Sequence, residues 1–285
     1  GFEFNLGWTD NLACGLTYSV NAIGTFNKNK VLNMGTDSQI ITGGTIHGGT
    51  YTTKTLAGYP IGGFWLIPCA GYFNSQDEVN NYVKDGKLIQ PSAEPGDIKF
   101  KDTNNDGTIN DADRVYCGSP FPDFTYSFNA SVNYKNFDFS FTLQGVTGNK
   151  IYNATRLELE DVTRGTNYLK KVTDYWTPEH HNASVPRLVW TDPNRNARSE
   201  SNRFLESGTY LRLRTVQLGY NLPKNLFDGF IKTARVYIDI DNLFTITPYS
   251  GYSPDVNSSN IYQRGMDEFA YPVNRTFMLG LNLTF

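Results

Sequence analysis

Phe124-Thr-Tyr-Ser-Phe-Asn-Ala-Ser-Val-Asn-Tyr134, the pair Lys135-Asn136, and Phe137-Asp-Phe-Ser-Phe-Thr-Leu-Gln144 form the stretch whose reading decides the fold. Phe124, Tyr126, Phe128, Ala130, Val132 and Tyr134 share one face, with Thr125, Ser127, Asn129, Ser131 and Asn133 on the other. After Lys135-Asn136 the pattern resumes, with Phe137, Phe139, Phe141 and Leu143 set against Asp138, Ser140, Thr142 and Gln144. A period of two is the signature of a strand with unlike faces. Each arm has about the 9 to 11 residues that a tilted membrane strand requires, and the turn is as short as those of such barrels. A soluble β-sandwich also alternates, but it rarely sets Phe or Tyr at nearly every position of one face over two full strands. The stretch therefore reads as part of an all-β, antiparallel transmembrane β-barrel.

The same pattern recurs on both sides. Phe2, Phe4, Leu6 and Trp8 alternate, as do Leu16, Tyr18, Val20 and Ala22. Residues 33 to 58 are rich in Gly and Thr and read as a loop, and Ile61 to Phe73 as a strand, apolar and aromatic and interrupted by Pro68. Residues 154 to 202 carry charges, Pro and Asn with no sustained period, as a long extracellular barrel loop would. Tyr210 to Leu222 is a strand whose apolar phase slips between Leu213 and Val216, which predicts a β-bulge near Thr215. Alternation turns Arg212 and Arg214 inward, together with Arg235, Tyr237, Asp239 and Asp241 of the next strand. In the last nine residues Phe277, Leu279, Leu281, Leu283 and Phe285 share a face. This end resembles the closing strand and assembly signal of bacterial outer-membrane barrels. The count is about eight strands, an even number that suits antiparallel closure.

Composition narrows the classes. Charged residues make up 19% of the 285, below the roughly 25% of soluble domains, and aromatics reach 14%. No apolar run approaches the roughly 18 residues of a transmembrane helix, which leaves a barrel open because barrel strands alternate. A net charge of −3 gives no basic footprint for nucleic acid. Cys14, Cys69 and Cys117 are too scattered for a disulfide framework or a zinc site. The chain opens at Gly1 inside an alternating run, as a mature fragment would.

Several strings carry a family resemblance. Pro95-Gly-Asp-Ile-Lys-Phe-Lys-Asp102, the Asp-rich loop after it, Ser201-Asn-Arg-Phe-Leu-Glu-Ser-Gly-Thr-Tyr-Leu-Arg-Leu-Arg214 and Gly219-Tyr-Asn-Leu-Pro223 are among them. Asp241-Asn-Leu-Phe244, Tyr175-Trp-Thr-Pro178 and Tyr249-Ser-Gly-Tyr-Ser-Pro-Asp255 fit the same pattern. Together they resemble the C-terminal barrel part of SusC/RagA-type TonB-dependent transporters of Bacteroidetes, over nearly the whole chain. The resemblance implies an outer-membrane barrel of about 22 strands with a plug, of which residues 1–285 are a C-terminal portion without plug or TonB box. It implies import of glycans or peptides, a SusD-like surface lipoprotein as lid, energy from a TonB complex, and a surround of membrane lipid and lipopolysaccharide. It implies no enzymatic activity.

One segment has explicit site chemistry. Asp102, Asn104, Asp106, Thr108, Asn110 and Asp113 follow the calcium-loop spacing, with Gly107 at the sixth position for the sharp turn. Asp113 stands where a Glu is usual and reaches less far. Such a loop is expected to take structural Ca2+; an Asx-rich turn that binds nothing is the alternative. His180 and His181 are adjacent and point apart, with His47 as the third histidine, so no histidine metal site is expected. Glu158, Glu160 and Asp161 read as a solvated acidic face rather than a glycosidase pair. Three functions stay open at this point: active import, a passive porin or barrel anchor, and a soluble calcium-stabilised β-sandwich that binds carbohydrate. Exposed apolar area discriminates the last from the others.

Overall fold

The computed structural model describes residues 1–285 apart from 36–39, 47–50, 224, 225, 227, 228, 257 and 259, so His47 lies outside the described residues. Seven long strands form one sheet: β1 (Phe2–Asn11), β2 (Leu16–Phe26), β3 (Phe124–Tyr134), β4 (Phe137–Thr147), β5 (Tyr210–Asn221), β6 (Thr233–Ile246) and β7 (Thr276–Thr284). They lie side by side in chain order, every pair antiparallel.

Register keeps like with like. Phe128 sits opposite Leu143 on one side and Ala22 on the other, and Val132 opposite Phe139 and Tyr18. Leu279 and Leu281 on β7 face Ile238 and Val236. One face is therefore apolar from Leu6 and Trp8 on β1 to β7, and it is bare: Leu279 is 77% exposed. A sandwich would cover this face with a second sheet, and among the described residues none does so. Aromatic rings cluster at both rims, Phe26 stacked on Phe124 at 4.2 Å at one end and Phe137 against Tyr220 at 4.7 Å at the other. Such girdles mark the two interfaces of a membrane barrel. No helix of the described residues is long and apolar enough to cross a membrane.

The bulge falls where the slip in phase requires it. Leu213 and Thr215 pair with consecutive β4 residues, Leu143 and Thr142, and Arg214 is the extra residue. The register of β5 against β6 also shifts between Leu213 and Thr215, so the strand regains the apolar face with Val216.

Connections at one end of the sheet are short, Lys135-Asn136 being the shortest, with Lys135 at φ 52° to close the turn. At the other end residues 27–123, 148–209 and 247–275 join the strands. That asymmetry is the one of outer-membrane barrels, short turns inside and long loops outside. The long connections fold on one another as a cap. Its main core holds Phe64, Leu66, Tyr152, Leu157, Phe204 and Met266, contributed by all three connections.

The cap corrects three sequence expectations. Among the described residues the count of about eight strands becomes seven in the barrel sheet, because Ile61 to Phe73 divides into Gly63–Leu66 and Cys69–Tyr72, which join cap sheets. Pro68 offers no N–H to a continuous ladder, and Phe64, Leu66 and Ile67 are all fully buried, so the segment has no lipid face. Residues 33 to 58 are more than a loop: Ile41–Thr45 pairs with Tyr51–Thr55. Thr52 and Thr53 are buried there, their hydroxyls donating to the Gly44 and Tyr262 carbonyls at 2.6 and 2.7 Å. Within residues 154–202 lies a helix, Ala154–Glu160, whose first turn is capped by the Asn153 side chain accepting from the Arg156 N–H at 2.8 Å.

Candidate functional site

Facing away from the apolar side, the sheet presents a continuous polar wall. The Arg235 guanidinium holds Asp138 with two bonds, Nε to Oδ1 at 2.9 Å and Nη2 to Oδ2 at 2.5 Å, and also donates to Gln217 at 2.8 Å. Gln217 in turn donates to Asp239 at 2.8 Å. Thr142 donates to Asn129 at 2.9 Å, Asn21 to Asn5 at 2.8 Å, and Thr9 to Ser19 at 3.0 Å. Arg214 Nη1 donates to Gln144 Oε1 at 2.7 Å, so it lies on this wall as its alternation predicts. Arg212 starts from the same face, donates to its β6 register partner Thr245 at 2.9 Å, and reaches the cap at Asp255, with which it pairs. Side chains bonded along the sheet keep their second lone pairs and spare donors for water, so the wall is wettable and offers a solute many weak, exchangeable partners.

The candidate metal residues come together in one closed loop. Asp102 accepts from the Asp106 N–H at 3.1 Å and the Gly107 N–H at 2.8 Å. Asn104 Oδ1 accepts from Asp106 N–H at 3.0 Å, and Asn110 Nδ2 donates to Thr108 Oγ1 at 2.9 Å. Asp113 is fully buried and accepts from the Thr103 and Asn110 N–H groups at 2.7 and 2.8 Å, which closes the loop. Gly107 takes φ 87°, the conformation for which a glycine is wanted there. Hydrogen bonds from the Asn104 and Thr108 side chains, and then from the Thr108 N–H, hold the Asp106 carboxyl down to about 2. This acid is charged throughout the neutral range, and the stability its bonds contribute is complete above the ordinary value of 3.8 and is lost as pH falls from there through about 2. Among the described residues no three His, Cys, Asp or Glu side chains are arranged to hold a metal ion.

Elsewhere the cap is built on charge that the sequence reading placed in solvent. The Glu160 side chain is 0% exposed and meets Arg156 and Arg203 at 2.6 Å each, and Lys171 at 3.5 Å. Asp161 is also buried. The solvated acidic face is therefore corrected: helical spacing turns Glu160 inward with Leu157, and the arginines that neutralise it come from the same helix and from residue 203. Burial pulls the Arg203 guanidinium below its ordinary value, against the opposing attraction of Glu160. A second cluster centres on fully buried Asp97, which Arg187 grips through Nε at 2.7 Å and Nη2 at 3.0 Å while Asn196 donates at 2.8 Å. His180 and His181 part as expected, the first on Asp174 at 2.7 Å and the second stacked on Trp176. All three cysteines are free, and burial raises the Cys69 thiol to about 11.

No protein-family model matches the chain. Its sequence is 32% identical over 300 residues to TonB-dependent receptor P26 of Formosa agariphila, covering 100% of this chain and 29% of the relative. TonB-dependent receptor P3 of the same organism is 31% identical, with 100% and 28% covered. TonB-dependent receptor SusC of Bacteroides thetaiotaomicron is 26% identical over 213 residues, 72% of this chain and 19% of the relative. Among solved structures, the RagAB peptide importer in its open-open state superposes with a TM-score of 0.74 at 19% identity, over 99% of this chain and 28% of that one. The likeness establishes the barrel fold. The chain spans 19% to 29% of the length of these curated relatives.

Proposed function

Because the chain belongs to the SusC-type TonB-dependent receptors of the outer membrane, as part of their C-terminal barrel, we propose that the protein containing it imports glycans or peptides with energy from a TonB complex. A SusD-like lipoprotein would sit over the cap as a lid. The observation that carries this reading is the pairing of a bare apolar face with a continuous polar wall under a folded cap. An anchor needs the first feature alone, whereas a route for solute needs the wall. Affinity purification of the full protein from outer membranes is expected to bring down a lipidated surface protein in near-equal amount. Substrate uptake in the same cells is expected to stop when the proton-motive force is collapsed. Recovery of the barrel alone, with uptake indifferent to the uncoupler, would favour a passive porin.

We also propose that the loop from Asp102 to Asp113 takes Ca2+ in a structural role. In support, the loop is already folded around Asp102 and Asp106 with the turn at Gly107 in place. Each Asp102 oxygen accepts a single N–H and retains a second lone pair for a cation, while an ion at Asp106 would displace side-chain donors of Asn104, Thr108 or Asn110. Calcium is expected to raise the midpoint of cap unfolding by several degrees relative to a chelator, and Asp106→Ala to remove that difference. Equal midpoints with calcium and chelator in the unaltered protein would mean that the loop closes by its own hydrogen bonds.

A further inference from the structure

The seven strands of the sheet carry three cations, all of them arginines: Arg212, Arg214 and Arg235. Arg212 is neutralised by Asp255 and Arg235 by Asp138. Arg214 differs from both. Its bond goes to an uncharged oxygen, that of the Gln144 amide at 2.7 Å, and among the described residues no carboxylate is paired with it. The bulge puts it there. Leu213 stands opposite Leu143 and Thr215 opposite Thr142, so Arg214 is inserted between them without a cross-strand partner of its own, and it is exposed. Bulges commonly re-aim a side chain beside a functional site.

Arg214 opens onto a cavity of about 370 Å³ in the polar wall, close to the end of the strands that bears the cap. Gln144, Thr142, Ser127 and Thr125 line it, and Ile23 adds an apolar patch. No Asp or Glu belongs to this lining. The neutral groups supply donors. Gln144 gives its oxygen to Arg214, which leaves its amide N–H groups to donate elsewhere. Ser127 accepts from Asn129 at 3.5 Å and keeps its own hydroxyl proton, as does Thr125, whereas Thr142 has committed its proton to Asn129 at 2.9 Å. A guanidinium with spare N–H groups, an amide and two hydroxyls, with no acid among them, form a donor set that an oxyanion completes. The planar fork of arginine matches a carboxylate or sulfate, and such charge-assisted bonds are the strong ones. A neutral solute would leave the cation unmatched, and a cationic one would be repelled.

We propose that Arg214, Gln144, Ser127 and Thr125 form a subsite on the barrel wall for an oxyanion group, carboxylate or sulfate, of a solute passing through the lumen. It rests on the importer reading and adds to it a preference for negative charge below the cap. The test is labelling of the full-length protein in detergent with phenylglyoxal, which attacks accessible guanidinium groups, counted residue by residue by peptide mass mapping. Arg195 is the reference, because its side chain is 60% exposed but paired with Glu200. Arg214 is expected to react, and glutarate or sulfate to slow its labelling at least fivefold relative to chloride at matched ionic strength, with Arg195 unaffected. Gln144→Ala is expected to leave Arg214 reactive and to weaken that protection, with the unfolding midpoint of the barrel verifying the fold. An unreactive Arg214 would mean that a carboxylate elsewhere in the full-length protein already fills the site. Protection by neither oxyanion, or equal protection of Arg195, would mean that the guanidinium is merely solvated. Any of these outcomes would overturn the proposal. Energised uptake is measured separately in cells. If it persists while protection fails, the importer reading stands and the subsite falls; if it is absent while Arg214 is still protected, the reverse holds.

Discussion

Replacing Leu279 with arginine is expected to cost the inserted barrel about 2–4 kcal/mol, the penalty of a cation on the lipid face near the bilayer midplane. Leu279 is central in β7, opposite Ile238, and its exposed side chain has only hydrocarbon to face. Its neighbour Met278 provides the control. Met278 stands opposite Asp239 on the polar wall, so arginine there meets water and a carboxylate and should cost well under half as much. Outer-membrane abundance and the urea midpoint of the purified barrel report both effects. Equal loss at 278 and 279 would mean that the two faces do not differ in solvent, against the whole reading of the sheet.

Glu160→Ala should be at least as severe, in the cap instead of the barrel. Removal of the carboxylate strands Arg203, whose side chain is only 9% exposed and loses its 2.6 Å contact. Breaking a buried pair from one side typically costs about 3–5 kcal/mol, because the remaining charge stays desolvated. Glu160→Gln keeps an oxygen acceptor and should lose less. The readout is the rate of limited proteolysis within residues 148–209, with the barrel strands as internal reference. Protection unchanged in Glu160→Ala would show that Arg203 finds water or another partner, and that the cluster is dispensable.

The barrel half of this molecule was legible because a lipid-facing strand obeys a single rule. Phe124 to Gln144 alternates without exception, and the slip between Leu213 and Val216 located the bulge at Arg214 to within one residue. The cap obeys no single period. Gly63–Leu66 is buried on both faces, so its apolar run resembled a barrel strand until Pro68 and its neighbours were placed. Glu160 looked like surface because an acidic residue in a charged cluster usually is. Its partners lie four residues on the N-terminal side, at Arg156, and far along the chain, at Arg203. The calcium-loop spacing, by contrast, is local, and the predicted residues are indeed neighbours in one closed turn.

The central claim is that one face of this sheet lies against lipid and the other against water, and a quenching experiment on β3 and β4 tests it most directly. Single cysteines replace Phe128, Val132 and Phe139 on one face and Asn129, Ser131 and Ser140 on the other, in full-length protein freed of Cys14, Cys69 and Cys117. Each is labelled with a small fluorophore in reconstituted bilayers. The account predicts quenching by brominated lipid at 128, 132 and 139 and by aqueous iodide at 129, 131 and 140. Iodide quenching of both sets, with no response to brominated lipid, would contradict a membrane barrel.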